Sequence, residues 1–294
     1  MGGVVDYLEL CRPKNLLLAG LTVPLGALFA VESQVSSYPY SIVAAHTLAV
    51  VAFTAAGNTM NDIKDLDIDT TAHPSRPLPA GRVTVKNAKT FAIFLWLMSV
   101  LGLAQGIGLL YDGNGLSADD LPSVAIYMIA IILMMTYDHG PATKNQGLTG
   151  NIVISMLVAA VLLYGAAGVG SIWQPHLWWI FGTIFFVNLA REIVKDCFDM
   201  ESDEGRRETF PMSVGKEKAR MFAYVFIMAG LVCLYIPFWK GPFVFGQLLL
   251  QSPAILVLIS LNGPMFNGED ELVISRIRVG MLLGLMGFTA AVLI

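Results

Sequence analysis

The sequence predicts an all-α fold: a multi-pass membrane bundle of about nine transmembrane helices, with two halves offset by four helices and arranged as parallel repeats around a central cavity. Three observations point there. Hydrophobic residues make up 55% of the 294 and charged residues only 14%, and the mean hydropathy of +0.66 exceeds what a water-soluble core requires. Apolar runs recur along the whole chain at close to the length that crosses a bilayer. A polar cytoplasmic element also occurs twice, at the same spacing.

The apolar runs cover roughly 15–32, 40–60, 87–110, 122–137, 149–170, 174–196, 217–237, 242–261 and 276–294, the fourth being short for a span. The longest polar connections lie near 61–86 and 197–216 and are too short for a separate folded unit, so one membrane domain is expected over 1–294. The first run follows Arg12 and Lys14 but is longer than a signal-peptide core and lacks a small-x-small cleavage site. It is expected to be a retained helix.

Numbering connections from a cytoplasmic N-terminus places every Lys and Arg except Lys240 on one side of the membrane. Such a bias is the positive-inside pattern. Among the acidic residues only Glu32, Asp112, Asp119 and Asp120 fall opposite, although that rule makes no demand on carboxylates. The cytoplasmic face therefore has a use for acidic groups. Cys11, Cys197 and Cys233 form no C-x-x-C pair, which argues for apolar packing over a disulfide framework or a thiolate metal site. His46, His73, His139 and His176 are scattered without the i, i+4 spacing of a zinc or haem pair, and structural or surface roles are expected of them.

After the second run the chain reads Asn61-Asp62-Ile-Lys-Asp65-Leu-Asp67-Ile-Asp69, then His73-Pro74-Ser75-Arg76-Pro77-Leu-Pro79-Ala-Gly81. Asn61, Asp65 and Asp69 form an i, i+4, i+8 row, so a helix continuing through them presents these side chains on one face. After the sixth run come Arg191-Glu192-Ile-Val-Lys195-Asp196-Cys-Phe-Asp199-Met-Glu201-Ser-Asp203 and Gly205-Arg206-Arg207-Glu208-Thr209-Phe-Pro211. A shift of 134 residues lays Asp62, Asp65, Asp69, Pro77 and Gly81 on Asp196, Asp199, Asp203, Pro211 and Gly215. The copies follow the second and sixth helices, an even offset, so both halves have the same orientation and the clusters can face each other across a cavity.

Packed carboxylates repel, and a bound cation removes that repulsion. Oxygen donors without His or thiolate suit hard cations, and magnesium typically takes one or two carboxylates and leaves positions for substrate phosphates. Two such clusters would make a diphosphate clamp. The plain alternative, solvated juxtamembrane charges, accounts poorly for the repetition at identical spacing on one side.

At these residues the chain resembles the UbiA superfamily of intramembrane prenyltransferases, whose signatures N-D-x-x-D-x-x-x-D and D-x-x-D-x-x-x-D are both complete here. The resemblance extends over the whole chain through the helix count. It implies that Asn61, Asp65, Asp69, Asp196, Asp199 and Asp203 are the catalytic set that binds Mg2+ and the diphosphate. It matches Arg12-Pro13 to an N-terminal Arg-Pro and a third loop to Tyr137, Lys144 and Gly150-Asn151, although Asp138-His139-Gly140-Pro141 sets Tyr137 farther from Lys144 than in relatives. Arg12, Arg76, Lys144, Asn151, Lys195, Arg206 and Arg207 are the substrate-binding candidates that follow.

The run from Arg191 to Asp203, closed by Gly205-Arg206 and Thr209-x-Pro211, is most similar to the archaeal branch that makes membrane ether lipids. That likeness implies transfer of geranylgeranyl from its diphosphate to the C2 hydroxyl of geranylgeranylglyceryl phosphate. It further implies a prenyl diphosphate donor, a lipid acceptor and the membrane as partners, no nucleic acid, and a cell-membrane location with the aspartates on the cytoplasmic side. An aromatic quinone precursor or a tetrapyrrole is the other acceptor class of the superfamily. A secondary transporter is the alternative from another class, but transporter sites usually lie near the midplane, whereas these carboxylates gather at one face. The D-G-x-x-A-R opening of CDP-alcohol phosphotransferases is absent.

Overall fold

The computed structural model describes residues 2–31, 38–111, 118, 120–138, 142–205 and 207–294. Arg206, His139, Glu32, Asp112 and Asp119 lie outside the described residues.

The described chain is helical. It runs α1 (Val4–Cys11), α2 (Pro13–Ala30), α3 (Tyr40–Lys64), α4 (Leu66–Ala72), α5 (Val85–Leu110), α6 (Leu121–Asp138), α7 (Leu148–Ala167), α8 (Pro175–Asp203), α9 (Phe210–Val214), α10 (Lys216–Lys240), α11 (Ser252–Ile259), α12 (Asn262–Phe266) and α13 (Asp270–Leu293). Eight segments among the described residues are long and apolar enough to cross a membrane, and α6 is a shorter apolar helix. The outward faces carry large apolar side chains, such as Ile93, Leu97 and Leu101 on α5, as lipid contact requires. Among the described residues, eight of the nine expected runs thus fall on segments able to span and the fourth, short in the sequence too, falls on α6; the chain is a multi-pass membrane protein.

Three departures from the sequence reading have local causes. The eighth run is not one continuous helix: a 3₁₀ turn at Phe245–Gln251 precedes α11 and α12. Pro253, without an amide N–H, sits at the start of α11, and Pro264, which cannot donate to the Ser260 carbonyl, accounts for the break between α11 and α12. The last helix begins at Asp270 and not near 276, so Arg276 and Arg278 sit within it. The N-terminal α1 was not expected at all. It buries Leu10 against Leu78, Val83 and Ala88 and leaves Val4, Val5 and Leu8 exposed, the pattern of a helix lying in the membrane interface. Arg82 secures it by pairing with Asp6 and, at 2.8 Å, with Glu9.

Within the bundle α2 and α7 approach closely because small residues face backbone on both sides. A Cβ on Gly26 would lie 2.0 Å from the Leu162 carbonyl oxygen, and one on Gly165 would lie 2.2 Å from that of Val23. Contacts of this kind let membrane helices pack without a hydrophobic driving force. All three cysteines are free and buried, in line with apolar packing. His46 and His176 are buried too.

Candidate active site at the polar end of the bundle

An apolar cavity of about 210 Å³ runs between α2, α3, α6, α7, α8, α10, α11 and α13. Phe53, Tyr127, Met134 and Phe288 line it, and Asn58, Asn188 and Arg191 line it as well. Asn58 stands about one helical turn before Asp62 on α3, and Arg191 about one turn before Asp196 on α8, so polar residues of the cavity lie within about a turn of both acidic clusters.

The helix bearing the first cluster pauses at Asp65, yet its hydrogen bonds run on: the Asp65 amide donates to the Asn61 carbonyl (2.9 Å) and the Asp69 amide to that of Asp65 (2.8 Å). Asp62, Asp65 and Asp69 are each under one-tenth exposed. Arg12 pairs with Asp62 from a left-handed backbone position (φ 54°) between α1 and α2. Arg76 reaches back to Asp69 at 2.6 Å.

Asp65 is the junction between the halves. Its carboxylate accepts from Lys144 Nζ at 2.8 Å, from an Arg207 guanidinium nitrogen at 2.8 Å and from Asn61 Nδ2 at 3.1 Å. Burial alone would raise the Asp65 carboxyl, but Arg207 and Lys144 outweigh it and hold the group below its ordinary value. Arg207 in turn is held above its ordinary value: burial works against its charge, and Asp65 and Asp203 more than offset that. Tyr137 lies within electrostatic range of the same guanidinium.

The second cluster is carried on the uninterrupted α8. Asp196 accepts from Asn151 Nδ2 at 2.9 Å, and Asp203 lies 3.9 Å from Arg207. Asp199 and Lys195 act electrostatically on His73, which follows the first cluster. Burial first, then Arg76, holds His73 below the ordinary imidazole value.

The third loop is locked between the clusters. Gln146 and Glu208 form a parallel bridge, with the Gly147 amide donating to the Glu208 carbonyl at 2.7 Å. Gly150 lets the Lys144 turn press against α7, because a Cβ there would lie 2.8 Å from the Thr143 carbonyl oxygen and 2.9 Å from Lys144 Cα. The repeat is also structural: Gly81 and Gly215 both take positive φ, 69° and 87°, and both follow a buried proline, Pro77 or Pro211. Their requirement is the left-handed turn, since nothing lies within 4 Å of either hypothetical Cβ.

Thus the structure brings Asn61, Asp65, Asp69, Arg76, Lys144 and Arg207 into direct contact or one shared network, and joins Asn151 to Asp196. Arg12 serves Asp62, a residue that the repeat contained and the candidate set omitted. Arg191, Asn58 and Asn188 are further polar residues of the cavity that sequence reasoning missed. They sit a turn or two inside the motifs, so extending the motif rows inward by i−4 was the available signal.

The donors gathered here are carboxylate and amide oxygens, which suit a hard cation. Among the described residues no three of His, Cys, Asp and Glu converge on one point, so they offer no closed cage. An ion held by one or two carboxylates, with phosphate oxygens completing its shell, fits such a set.

Residues 19–264 match the UbiA prenyltransferase family. The chain belongs to that family. A digeranylgeranylglyceryl phosphate synthase of Methanopyrus kandleri is 33% identical over 98% of this chain and 99% of that relative. Among solved structures, one from work on digeranylgeranylglyceryl phosphate synthase in membranes has a TM-score of 0.72 at 24% identity, covering 99% of this chain and 98% of the other. A UbiA homolog from Archaeoglobus fulgidus bound to GPP and Mg2+ has a TM-score of 0.67 at 19% identity, covering 98% and 100%. These two likenesses establish the UbiA membrane fold, and the protein is a prenyltransferase by family.

Proposed function

We propose that this UbiA enzyme transfers geranylgeranyl from its diphosphate to the C2 hydroxyl of geranylgeranylglyceryl phosphate, with Mg2+ as cofactor and the whole chain 1–294 as one domain. The observation that carries the donor half is the Asp65 junction, where acidic and basic groups of both repeats meet at the polar end of an apolar cavity. The acceptor half is supported by the second motif of the sequence and by the name of the Methanopyrus kandleri relative. Magnesium use is supported by the oxygen-only donor set and by the metal named with the Archaeoglobus fulgidus homolog. The aspartates are assigned to the cytoplasmic side from the basic-residue bias.

In this reading Asn61, Asp65 and Asp69 from one cluster, and Asp196, Asp199 and Asp203 from the other, would each hold a magnesium ion, whose chemistry would be to neutralise the diphosphate as leaving group. Lys144, Arg207 and Arg76, which pair with carboxylates, would turn to the diphosphate oxygens when donor arrives, with Arg12, Lys195 and Asn151 in support and Arg206 a further candidate from the sequence. The allylic C1–O bond breaks and its electron pair leaves with the diphosphate. The acceptor hydroxyl oxygen bonds to C1, and its proton passes to a carboxylate or to water. The apolar cavity keeps bulk water from the electron-poor prenyl carbon. No protein nucleophile is required.

Mass spectrometry of products decides it. Purified protein given geranylgeranyl diphosphate, magnesium and geranylgeranylglyceryl phosphate is expected to form the doubly alkylated lipid, with none after chelation. Prenylation of a hydroxybenzoate or naphthoate with the glycerol lipid inert would overturn the acceptor and keep the reaction class.

A further inference from the structure

The Lys144–Arg207–Arg76 set does not exhaust the basic residues near the cavity. Arg191 on α8 lines the cavity, and its guanidinium pairs through one nitrogen with the neighbouring Glu192, while its Nε is buried without a partner among the described residues. Arg278 on α13 shares that condition: its Nε is buried and unpartnered, and it acts electrostatically on Arg191, Glu192 and Arg12. Arg12 is matched by Asp62. Four cations, Arg12, Arg191, Lys195 and Arg278, thus face three carboxylates, Asp62, Glu192 and Asp196, leaving one positive charge and two buried N–H donors unanswered. Buried donors without acceptors cost free energy, and intramembrane charges are retained for a use.

We propose that Arg191 and Arg278 form a phosphomonoester subsite between α8 and α13, which seats the phosphate of the glycerolipid acceptor. This rests on the acceptor reading above. A phosphate offers several strong acceptor oxygens and the missing negative charge, and a guanidinium donates to it in a fixed fork. Seating that phosphate on Arg191 and Arg278, beside the cavity that Arg191 lines, gives the acceptor's anion donors other than those at the Asp65 junction. The glycerol hydroxyl is then held between the two.

The test compares wild type, Arg191→Gln and Arg278→Gln in steady state, varying acceptor at saturating donor and then donor at saturating acceptor. Acceptors are geranylgeranylglyceryl phosphate and geranylgeranylglycerol, which differ only in the phosphate. The KM for the phosphorylated acceptor is expected to rise about ten- to a hundred-fold, the loss of one charge-assisted hydrogen bond. The donor KM should stay within about two-fold, since KM is indifferent to how much of a variant is folded, and the preference for the phosphorylated acceptor should vanish. Arg276→Gln, at an exposed position of the same helix, should change nothing. Where turnover is too slow, the acceptor's shift of the thermal unfolding temperature decides: phosphorylated and dephosphorylated lipids should differ on wild type and not on the variants. An unchanged acceptor KM overturns the proposal alone, as does an equal rise in donor KM, which would assign these residues to the diphosphate. A wild type that prenylates only aromatic acceptors overturns the acceptor reading and the subsite with it.

Discussion

Arg207→Gln severs the contact that ties the second half of the molecule to Asp65. The lost interaction is a hydrogen bond between charged groups at 2.8 Å, worth about 1.5–3 kcal/mol when largely buried. Arg207 is 18% exposed on its side chain, and Asp65 keeps Lys144 and Asn61, so the lower part of that range, about 2 kcal/mol, is expected. Asp65→Asn is more severe, because it takes the carboxylate from Lys144, only 5% exposed, and from Arg207 at once, although Arg207 keeps Asp203. Removing one partner of a buried charge pair costs about 3–5 kcal/mol. In the double variant the Arg207 contact is already gone, so the two losses should fall short of their sum by about 1.5 kcal/mol or more. Equilibrium unfolding in mixed detergent micelles, without metal, measures all three. Losses that add within about 0.5 kcal/mol would refute the idea that Asp65 and Arg207 hold the halves together.

Cysteines replacing Gln146 and Glu208 should form a disulfide on mild oxidation, since bridge partners lie within disulfide reach and the native cysteines are buried; failure to cross-link would separate the two loops. Gly150→Ala should lower turnover at least about ten-fold by displacing Lys144, while Gly147, whose hypothetical Cβ meets nothing closer than 3.8 Å, has its constraint in φ (55°) instead; normal activity of Gly150→Ala would remove Lys144 from the site. The depressed Asp65 carboxyl contributes stability that is complete above its unfolded value of about 3.9 and disappears as pH falls through its folded value. In the presence of chelator, the stability gap between wild type and Asp65→Asn should therefore be flat from about pH 5 to 8 and narrow below about 4. A gap that closes near neutrality would contradict that balance.

How much of this was legible in the sequence depends on the range of each interaction. The spans followed from apolar length, and the repeat from identical spacing, because both are local properties of the chain. The row Asn61, Asp65, Asp69 was legible for the same reason, and it survives the pause at Asp65 because the backbone hydrogen bonds continue. The partners were not legible: that Arg12 takes Asp62, that Lys144 and Arg207 share Asp65, and that Asn151 takes Asp196 is set by how distant helices pack. The α1 helix has eight residues, too few to register as a span, and its apolar face shows only once Leu10 is seen buried. The break in the eighth run was signalled by Pro253 and Gly263-Pro264, which a count of apolar residues passes over. Arg276 and Arg278 stood at the very start of the run 276–294 and counted with the cytoplasmic charges; because α13 begins at Asp270, Arg278 lies about two turns into the helix, within electrostatic range of Arg191.

The most direct test of one donor site built from two repeats is turnover of Asp65→Asn, Asp199→Asn and the double variant across a magnesium titration. Coulomb repulsion at contact distance is several kcal/mol at an effective dielectric of about 20, so bare clusters should oppose a diphosphate and both must be answered at once. Each single change should remove nearly all turnover and raise the metal requirement, and the double change should cost little beyond either one. Losses that multiply in the double variant, or a cluster that tolerates Asn at a near-normal rate, would mean that the two repeats do not serve a single step.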